Sequence, residues 1–260
     1  MSKSQKVNAW YGWIPDLPDY RDKLYSAIAA PPKRLPPAVD LRTMCSAVEN
    51  QGQLGSCTAN ALVGNLEFLE KKAGQAPADL SRLFVYYNER AMEGTVNEDA
   101  GAMIRDGVKT LVNQGVCTEM LWPYVIARFA AKPPAACYRQ ALTHQVVSYH
   151  RILTLLEMKS CLAEGFPFVF GFTVYETFES PAVARTGRLN LPRPQERLLG
   201  GHAVMAVGYD DAAKRFTIRN SWGADWGLAG YFTMPYAYLD SRDLADDFWT
   251  LRTMKNPAGG

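Results

Sequence analysis

The chain has 260 residues, 48% of them apolar and 21% charged, with a net charge of +2. That length allows one large domain, or two small ones sharing an interface, around a real core. The near-neutral balance excludes wholesale nucleic-acid binding, and the longest apolar run, "FPFVFGFTVY", is too short to span a bilayer.

The opening "MSKSQKVNAWYGW" has a lysine pair but no apolar stretch after it, so it does not read as a secretory signal peptide. The compartment stays open between the cytoplasm and export by another route. "YGWIPDLPDYRDKLY" and "AAPPKRLPP" follow, with aromatics, prolines and charges but no sustained period. Residues 1–34 therefore read as an extended arm ending in a proline-rich linker.

Residues from about 50 to 145 read as mostly helical. In "SCTANALVGNLEFLEKKAG", Leu62, Leu66 and Leu69 recur at helical spacing, Ser56 stands where an N-cap belongs and Gly74 just past the end. "DLSRLFVYYNERAMEG" and "AGAMIRDGVKTLVNQG" repeat that logic, and "TEMLWPY" breaks it. From about 146 onward, "PFVFGFTVY", "GHAVMAVGYDD", "KRFTIRNSWG" and "GYFTMPY" read as strands, with "GYDDAAKRF" as a hairpin between two of them. The fold class is α+β, with a site expected where the two halves meet.

Five cysteines leave at least one thiol outside any disulfide, and the pairing of Cys45, Cys117, Cys137 and Cys161 stays undecided. Cysteine and histidine spacing offers no zinc site, so no metal or cofactor is expected. Cys57 opens a helix after the small-residue turn "QGQLGS". A cysteine nucleophile needs a base, and the base needs an orienting partner. His144 and His150, in "THQVVSYHRI", read as surface or structural residues. His202 follows two glycines in "LLGGHAVMAVGY", and Asn220 with Trp222 and Trp226 follows in "IRNSWGADWGLAGYF". An asparagine carbonyl can fix the tautomer of an imidazole, and a tryptophan can keep water off that bond. The Gln51 amide, folded back by its turn, could join the Cys57 N–H in holding an oxyanion. Taken singly, each has a bland reading: a small buried thiol, a structural histidine, a turn with a packing tryptophan, a solvated glutamine.

Together, "NQGQLGSCTAN", "GVCTEMLWPY", "GGHAVMAVGYD" and "NSWGADWGLAGYF", with "LPPAVDLR" before them, resemble the papain family of cysteine peptidases over roughly residues 35–235, and within it the short bacterial, xylellain-like branch. His202 lies 145 residues after Cys57, inside the range for such enzymes. The resemblance implies a helical left half, a β-barrel-like right half and a cleft between them, residues 35–260 forming the catalytic domain. It implies Cys57 as nucleophile, His202 as its partner and general acid, Asn220 as orienter and Gln51 in the oxyanion hole. Trp222 would shield the Asn–His bond and Trp226 would line the leaving-group side. Gly101 falls near the glycines that bind the substrate backbone, allowing a one-residue slip. Met103, Ile104 and Gly201 would then wall a pocket for the second residue before the scissile bond. Departures are Leu54 where the family has a cysteine, Thr58 where it has an aromatic, Gly201 for an aspartate, and only 34 residues before "LPPAVDLR".

The implied activity is an endopeptidase working through an acyl-enzyme on a peptide or protein substrate, with Cys57 ionised well below the ~8.5 of a free thiol. The rival readings are an amidase or acyl transferase with the same triad, and a non-catalytic protein on a papain scaffold. The N-terminal segment is either a self-inhibitor beside the cleft or a permanent strap. The stretch "ESPAVARTGRLNLPRPQERLLGG" reads as a loop whose Arg185, Arg188, Arg193 and Arg197 are either simply solvated or a rim that selects acidic substrates or gates the cleft.

Overall fold

A computed structural model describes residues 11–29, 34–76 and 78–255. Residues 1–10 and 30–33, which hold the start of the arm and part of its proline linker, lie outside the described residues. The strands are β1 (Trp13–Ile14), β2 (Ala38–Asp40), β3 (Ala102–Met103), β4 (Val146–Arg151), β5 (Phe168–Tyr175), β6 (Leu198–Asp210), β7 (Arg215–Arg219), β8 (Tyr231–Pro235) and β9 (Ala245–Met254). The helices are α1 (Cys57–Lys72), α2 (Arg82–Glu93), α3 (Ile104–Asn113), α4 (Ala135–Ala141), α5 (Leu155–Ala163), α6 (Pro181–Thr186) and α7 (Tyr236–Leu239).

Seven strands form one sheet in the order β4-β9-β5-β6-β7-β8, with β2 added alongside β6. The sheet is open rather than a closed barrel, because β4 and β8 remain its edges. Strand β5 is apolar on both faces, which is why it reads as a continuous run. Phe168, Phe170 and Phe172 face one way into an aromatic core with Phe216, Phe232 and Phe248. Val169 faces the other way and, with Ala203, Met205 and Trp249, meets Leu62, Leu66, Phe84 and Ile104 of the helices. Helix α1 is thus buried between the sheet and α2 and α3.

Helices α5, α6 and α7 interrupt the β half. Helix α5 carries a full capping box, the Thr154 hydroxyl accepting from the Glu157 N–H while the Glu157 carboxylate accepts from the Thr154 N–H. Its "TLLE" is the [ST]-x-x-E signature of a helix start. Helix α6 lies in the arginine-rich stretch read as loop, started by the Ser180 cap and Pro181 and ended by Gly187 in the left-handed region.

Candidate active site

Cys57 is the first residue of α1, so its backbone N–H is one of the unpaired donors of a helix N-terminus. The loop before it is tied down at several points. The Gln51 N–H donates to the Ser221 carbonyl at 2.9 Å, the Ser221 hydroxyl donates to Gln51 Oε1 at 2.6 Å, and Gln51 Nε2 donates to the Leu54 carbonyl at 2.9 Å. Ser56 stands at the N-cap position without capping, because its hydroxyl meets Tyr124 Oη at 2.5 Å and accepts from Asn60 Nδ2 at 3.1 Å. Leu54, in the place of the family's cysteine, is buried in the helical core. The carboxylate of Asp99 accepts from the Gly55 N–H at 3.0 Å and from the Tyr86 hydroxyl, clamping the loop where a disulfide would have stapled it.

The second half of the site comes from the β6–β7 hairpin. His202 on β6 pairs with Phe172 on β5, while Asn220 directly follows Arg219, the last residue of β7. His202 Nε2 lies 2.8 Å from Asn220 Oδ1, which also accepts from the Ser221 N–H at 2.9 Å. That contact makes Nε2 the protonated nitrogen and leaves Nδ1 as the basic one. The Trp222 ring lies over the imidazole, centroids 5.2 Å apart and planes tilted by 31°. Trp226 is edge-on to Trp222 and buried in the aromatic core with Phe178 and Phe232. The chain joins the two halves at the sulfur: Cys57 Sγ accepts from the N–H of Ala203, next to His202, at 3.4 Å.

The N-terminal arm lies across this junction. Tyr11 is edge-on to His202 with centroids 6.1 Å apart, and its hydroxyl donates to Glu179. Gly12 follows against the sulfur, its N–H pointing at Sγ and its carbonyl accepting from the Ala102 N–H at 2.7 Å. A Cβ on Gly12 would fall 1.8 Å from the Gly55 carbonyl, so only glycine passes here. Strand β1 then runs parallel to β3, Trp13 beside Ala102 and Ile14 beside Met103. The Trp13 indole packs on Gly171 and Gly201 and donates to Asp247 at 3.0 Å.

With the arm in place Cys57 and His202 are both completely buried. Burial pushes the Cys57 thiol up to about 12, despite the N–H groups of Ala203, Gly12 and Thr58 around it. Burial likewise pulls His202 down to about 4, against the favourable contact with Asn220. The expectation of an ionised Cys57 is therefore corrected for this arm-closed form. The helix N-terminus favours a thiolate, but desolvation outweighs it and the pair is neutral. His202 Nδ1 is buried with no hydrogen-bond partner among the described residues.

The pocket residues divide. The backbone donor to the arm is Ala102, one residue past Gly101. Gly101 itself has φ of 75° and would place a Cβ 2.2 Å from the Gly12 carbonyl. Gly201 lies under Trp13, Met103 is half-buried beside Ile14, and Ile104 is fully buried in the helical core. Sequence reasoning passed over Trp13, Asp99, Gly171 and Asp247. The glycine interrupting "FVFGFTVY" was the available signal, since a strand glycine marks a close approach.

The remaining candidates lie apart from this junction. His144 Nδ1 sits 2.6 Å from Glu70 Oε1, and His150 is buried within β4. All five cysteines are free, and the Cys137 thiol donates to the Leu121 carbonyl at 4.0 Å. Arg185, Arg188, Arg193 and Arg197 are exposed, and Arg197 lies 3.6 Å from Glu176. Among the described residues no cluster of histidine, cysteine and carboxylates could hold a metal.

The sequence profile described as papain family cysteine protease matches residues 35–246. The crystal structure of xylellain, a cysteine protease from Xylella fastidiosa, superposes with a TM-score of 0.88 at 43% identity, covering 98% of this chain and all of that one. An uncharacterized peptidase C1-like protein of Acanthamoeba polyphaga mimivirus is 40% identical, over 95% of this chain and 88% of its own. The bromelain protease of Ananas comosus shares the fold at 23% identity and a TM-score of 0.65, covering 83% of this chain and 98% of its own. The chain belongs to the papain family of cysteine proteases.

Proposed function

We propose that the protein is a cysteine endopeptidase held latent by its own N-terminal segment. Cys57 is the nucleophile, His202 its base and then its acid, Asn220 the group that orients the imidazole, and Gln51 with the Cys57 N–H the oxyanion hole. Trp222 shelters the Asn220–His202 contact, and Trp226 supports Trp222 from behind. The observation that carries the reading is the stretch of peptide lying in the cleft. The Gly12 backbone bonds to Ala102 beside the Cys57 sulfur, and Trp13 fills a side pocket. A site that accepts an extended peptide in this way has the recognition features of a peptidase.

With the arm away, water and the helix N-terminus lower the thiol pKa and the proton passes to His202 Nδ1. The thiolate attacks the scissile carbonyl carbon, and the carbonyl oxygen takes the negative charge. Collapse of the tetrahedral intermediate releases the amine, which takes its proton from His202, and leaves a thioester on Cys57. A water deprotonated by His202 then cleaves the thioester and restores the thiol.

While docked, the arm buries Cys57 completely and keeps it a neutral thiol, a weak nucleophile, so it is not cleaved. Residues 11–14 form the stopper, and the following stretch is an anchor. The Asp16 carboxylate accepts from the Arg105 backbone N–H at 3.0 Å and from Trp249 Nε1 at 2.9 Å. Asp22 pairs with Arg105 at 2.7 Å and Arg151 at 2.9 Å, and Tyr25 is fully buried. The test is a fluorogenic peptide panel on the full chain and on Gly12→Val, in which the added side chain expels the stopper. Cleavage by the variant supports the reading, and inertness of both proteins refutes it.

A further inference from the structure

A small cavity lies where α1 meets the end of the β6–β7 hairpin. Asn60 and Ala61 line it from α1, Ala203 and Met205 from β6, and Asn220 and Ser221 from the turn after β7. It leaves the centre of a water molecule about 10 Å³, close to the least that one buried water needs. Two polar atoms on its lining residues have no hydrogen-bond partner among the described residues: Asn60 Oδ1 and Asn220 Nδ2. Both side chains are more than nine-tenths buried, Asn60 being 7% and Asn220 3% exposed. One atom is an acceptor and the other a donor, and buried groups of this kind are seldom left unpaired. Arg219, which also lines the cavity, already gives its Nη atoms to the Ser46 hydroxyl and the Ala47 carbonyl.

The bonds these two amides do make leave one end of each open. Asn60 Nδ2 donates to the Ser56 carbonyl at 2.9 Å and to the Ser56 hydroxyl at 3.1 Å, so Oδ1 is the open end. Asn220 Oδ1 lies 2.8 Å from His202 Nε2 and accepts from the Ser221 N–H at 2.9 Å, so Nδ2 is the open end. One chain of bonds already joins the two residues the long way round. From Asn60 it runs through the Ser56 hydroxyl to Tyr124 Oη at 2.5 Å, and the Tyr124 hydroxyl donates to the Gln51 carbonyl at 2.9 Å. The Gln51 N–H then donates to the Ser221 carbonyl at 2.9 Å, and the Ser221 N–H returns to Asn220. One water between Asn60 Oδ1 and Asn220 Nδ2 turns this chain into a ring that holds both Gln51 and Asn220.

Resting on the peptidase reading above, we propose that the cavity holds one structural water, which donates to Asn60 Oδ1 and accepts from Asn220 Nδ2. Asn60 is then a positioning residue: it acts on His202 through the water and the Asn220 amide and touches no reacting atom. An amide held only at its oxygen can rock about its terminal torsion, which is broad for asparagine. A bond at Nδ2 fixes the plane of the Asn220 amide, and with it the direction in which Oδ1 meets the imidazole. His202 has to keep that direction while it gains and loses a proton at Nδ1. Loss of the water therefore falls on kcat rather than on substrate binding.

Two measurements test this, and the first needs no turnover. A crystal structure of the full chain, at a resolution that shows ordered water, should place one water within hydrogen-bond reach of both Asn60 Oδ1 and Asn220 Nδ2. A dry cavity, or a water that reaches only one of the two atoms, overturns the proposal. The second compares Asn60→Leu with Asn60→Asp, each in the Gly12→Val chain. Leucine has nearly the shape of asparagine and removes the acceptor. In Asn60→Asp burial keeps the carboxyl protonated, so it supplies an acceptor for the water and a donor for Ser56. Asn60→Leu should lower kcat at least tenfold with KM within threefold, while Asn60→Asp keeps kcat within threefold of Gly12→Val alone. Equal kcat in the two variants, or a change confined to KM, overturns the proposal and leaves the peptidase reading standing. If Asn60→Leu fails to fold, the crystal decides alone. A Gly12→Val chain that cleaves no peptide overturns both readings.

Discussion

The Gly12 N–H lies against the sulfur of Cys57, and its carbonyl accepts from the Ala102 N–H at 2.7 Å. The arm thereby buries the sulfur completely. The neutral state of Cys57 and His202 follows from that burial, which ties the ionisation of the pair to the docking of the arm.

The pH dependence of docking follows from these shifts. Docking holds the Cys57 thiol up at about 12, while with the arm away it lies below its ordinary value. Its contribution to the closed state is lost as the pH climbs from that open-form value toward 12. Tyr11, raised by burial and by Glu179, adds in the same direction. On the acid side, His202 is lowered from 6.5 to about 4, so its contribution fades as the pH falls through that window. Asp247, raised from 3.8 to about 7, contributes more as the pH falls through nearly the same window and offsets the loss. Protection of the Ala102 amide from hydrogen exchange, which reads the bond to Gly12, should be flat or rising from pH 7 to about 4. It should fall by up to about tenfold per pH unit at alkaline pH, once the open form holds fewer protons on Cys57 and His202 than the closed one. Loss of protection in acid would contradict the offset between His202 and Asp247.

Asp99 should matter to catalysis although it touches no reacting atom. Its carboxylate links the Gly55 N–H to the Tyr86 hydroxyl in a loop without the family's disulfide. Asp99→Ala, measured in the Gly12→Val chain, should lower kcat by about 10- to 100-fold and cost about 1–3 kcal/mol of stability in urea unfolding. Asp99→Asn, which keeps an acceptor, should recover part of both. Unchanged kcat in Asp99→Ala would remove Asp99 from the positioning of Cys57.

The arm should divide at Pro15. A chain beginning there loses the stopper and keeps the anchor, whereas one beginning at Leu35 also loses Asp16, Asp22 and Tyr25. The second leaves the buried Arg105 without its carboxylates and opens a cavity at Tyr25. Unfolding in urea should show the Leu35 chain at least ~3 kcal/mol less stable than the Pro15 chain. Equal stabilities would mean that the whole arm is detachable.

The parts legible in the sequence were those carried by strong local rules. Helices α1, α2 and α3 show their period and glycine ends, and β5 to β8 are short apolar runs between turns. The Cys57, His202 and Asn220 motifs stand in the order their resemblance required. What escaped notice depends on contacts distant in sequence. Strand β9 carries Asp246, Asp247 and Arg252, and its bulge breaks the alternation that would have marked it. Asp247 gains meaning only because Trp13, 234 positions earlier, ends beside it. The neutral Cys57 of the arm-closed form was not legible for the same reason: local features favour a thiolate, and a remote segment supplies the desolvation that opposes it.

The central claim is a Cys57 peptidase shut by Gly12, and the most direct measurement is peptide hydrolysis by three full-length proteins. These are the parent, Gly12→Val and the double variant Gly12→Val with Cys57→Ala. A Cβ at Gly12 cannot coexist with the Gly55 carbonyl. Gly12→Val should therefore exceed the parent in kcat/KM by at least tenfold, with no turnover in the double variant. Equal rates for the parent and Gly12→Val, or hydrolysis that survives loss of the Cys57 thiol, would contradict it.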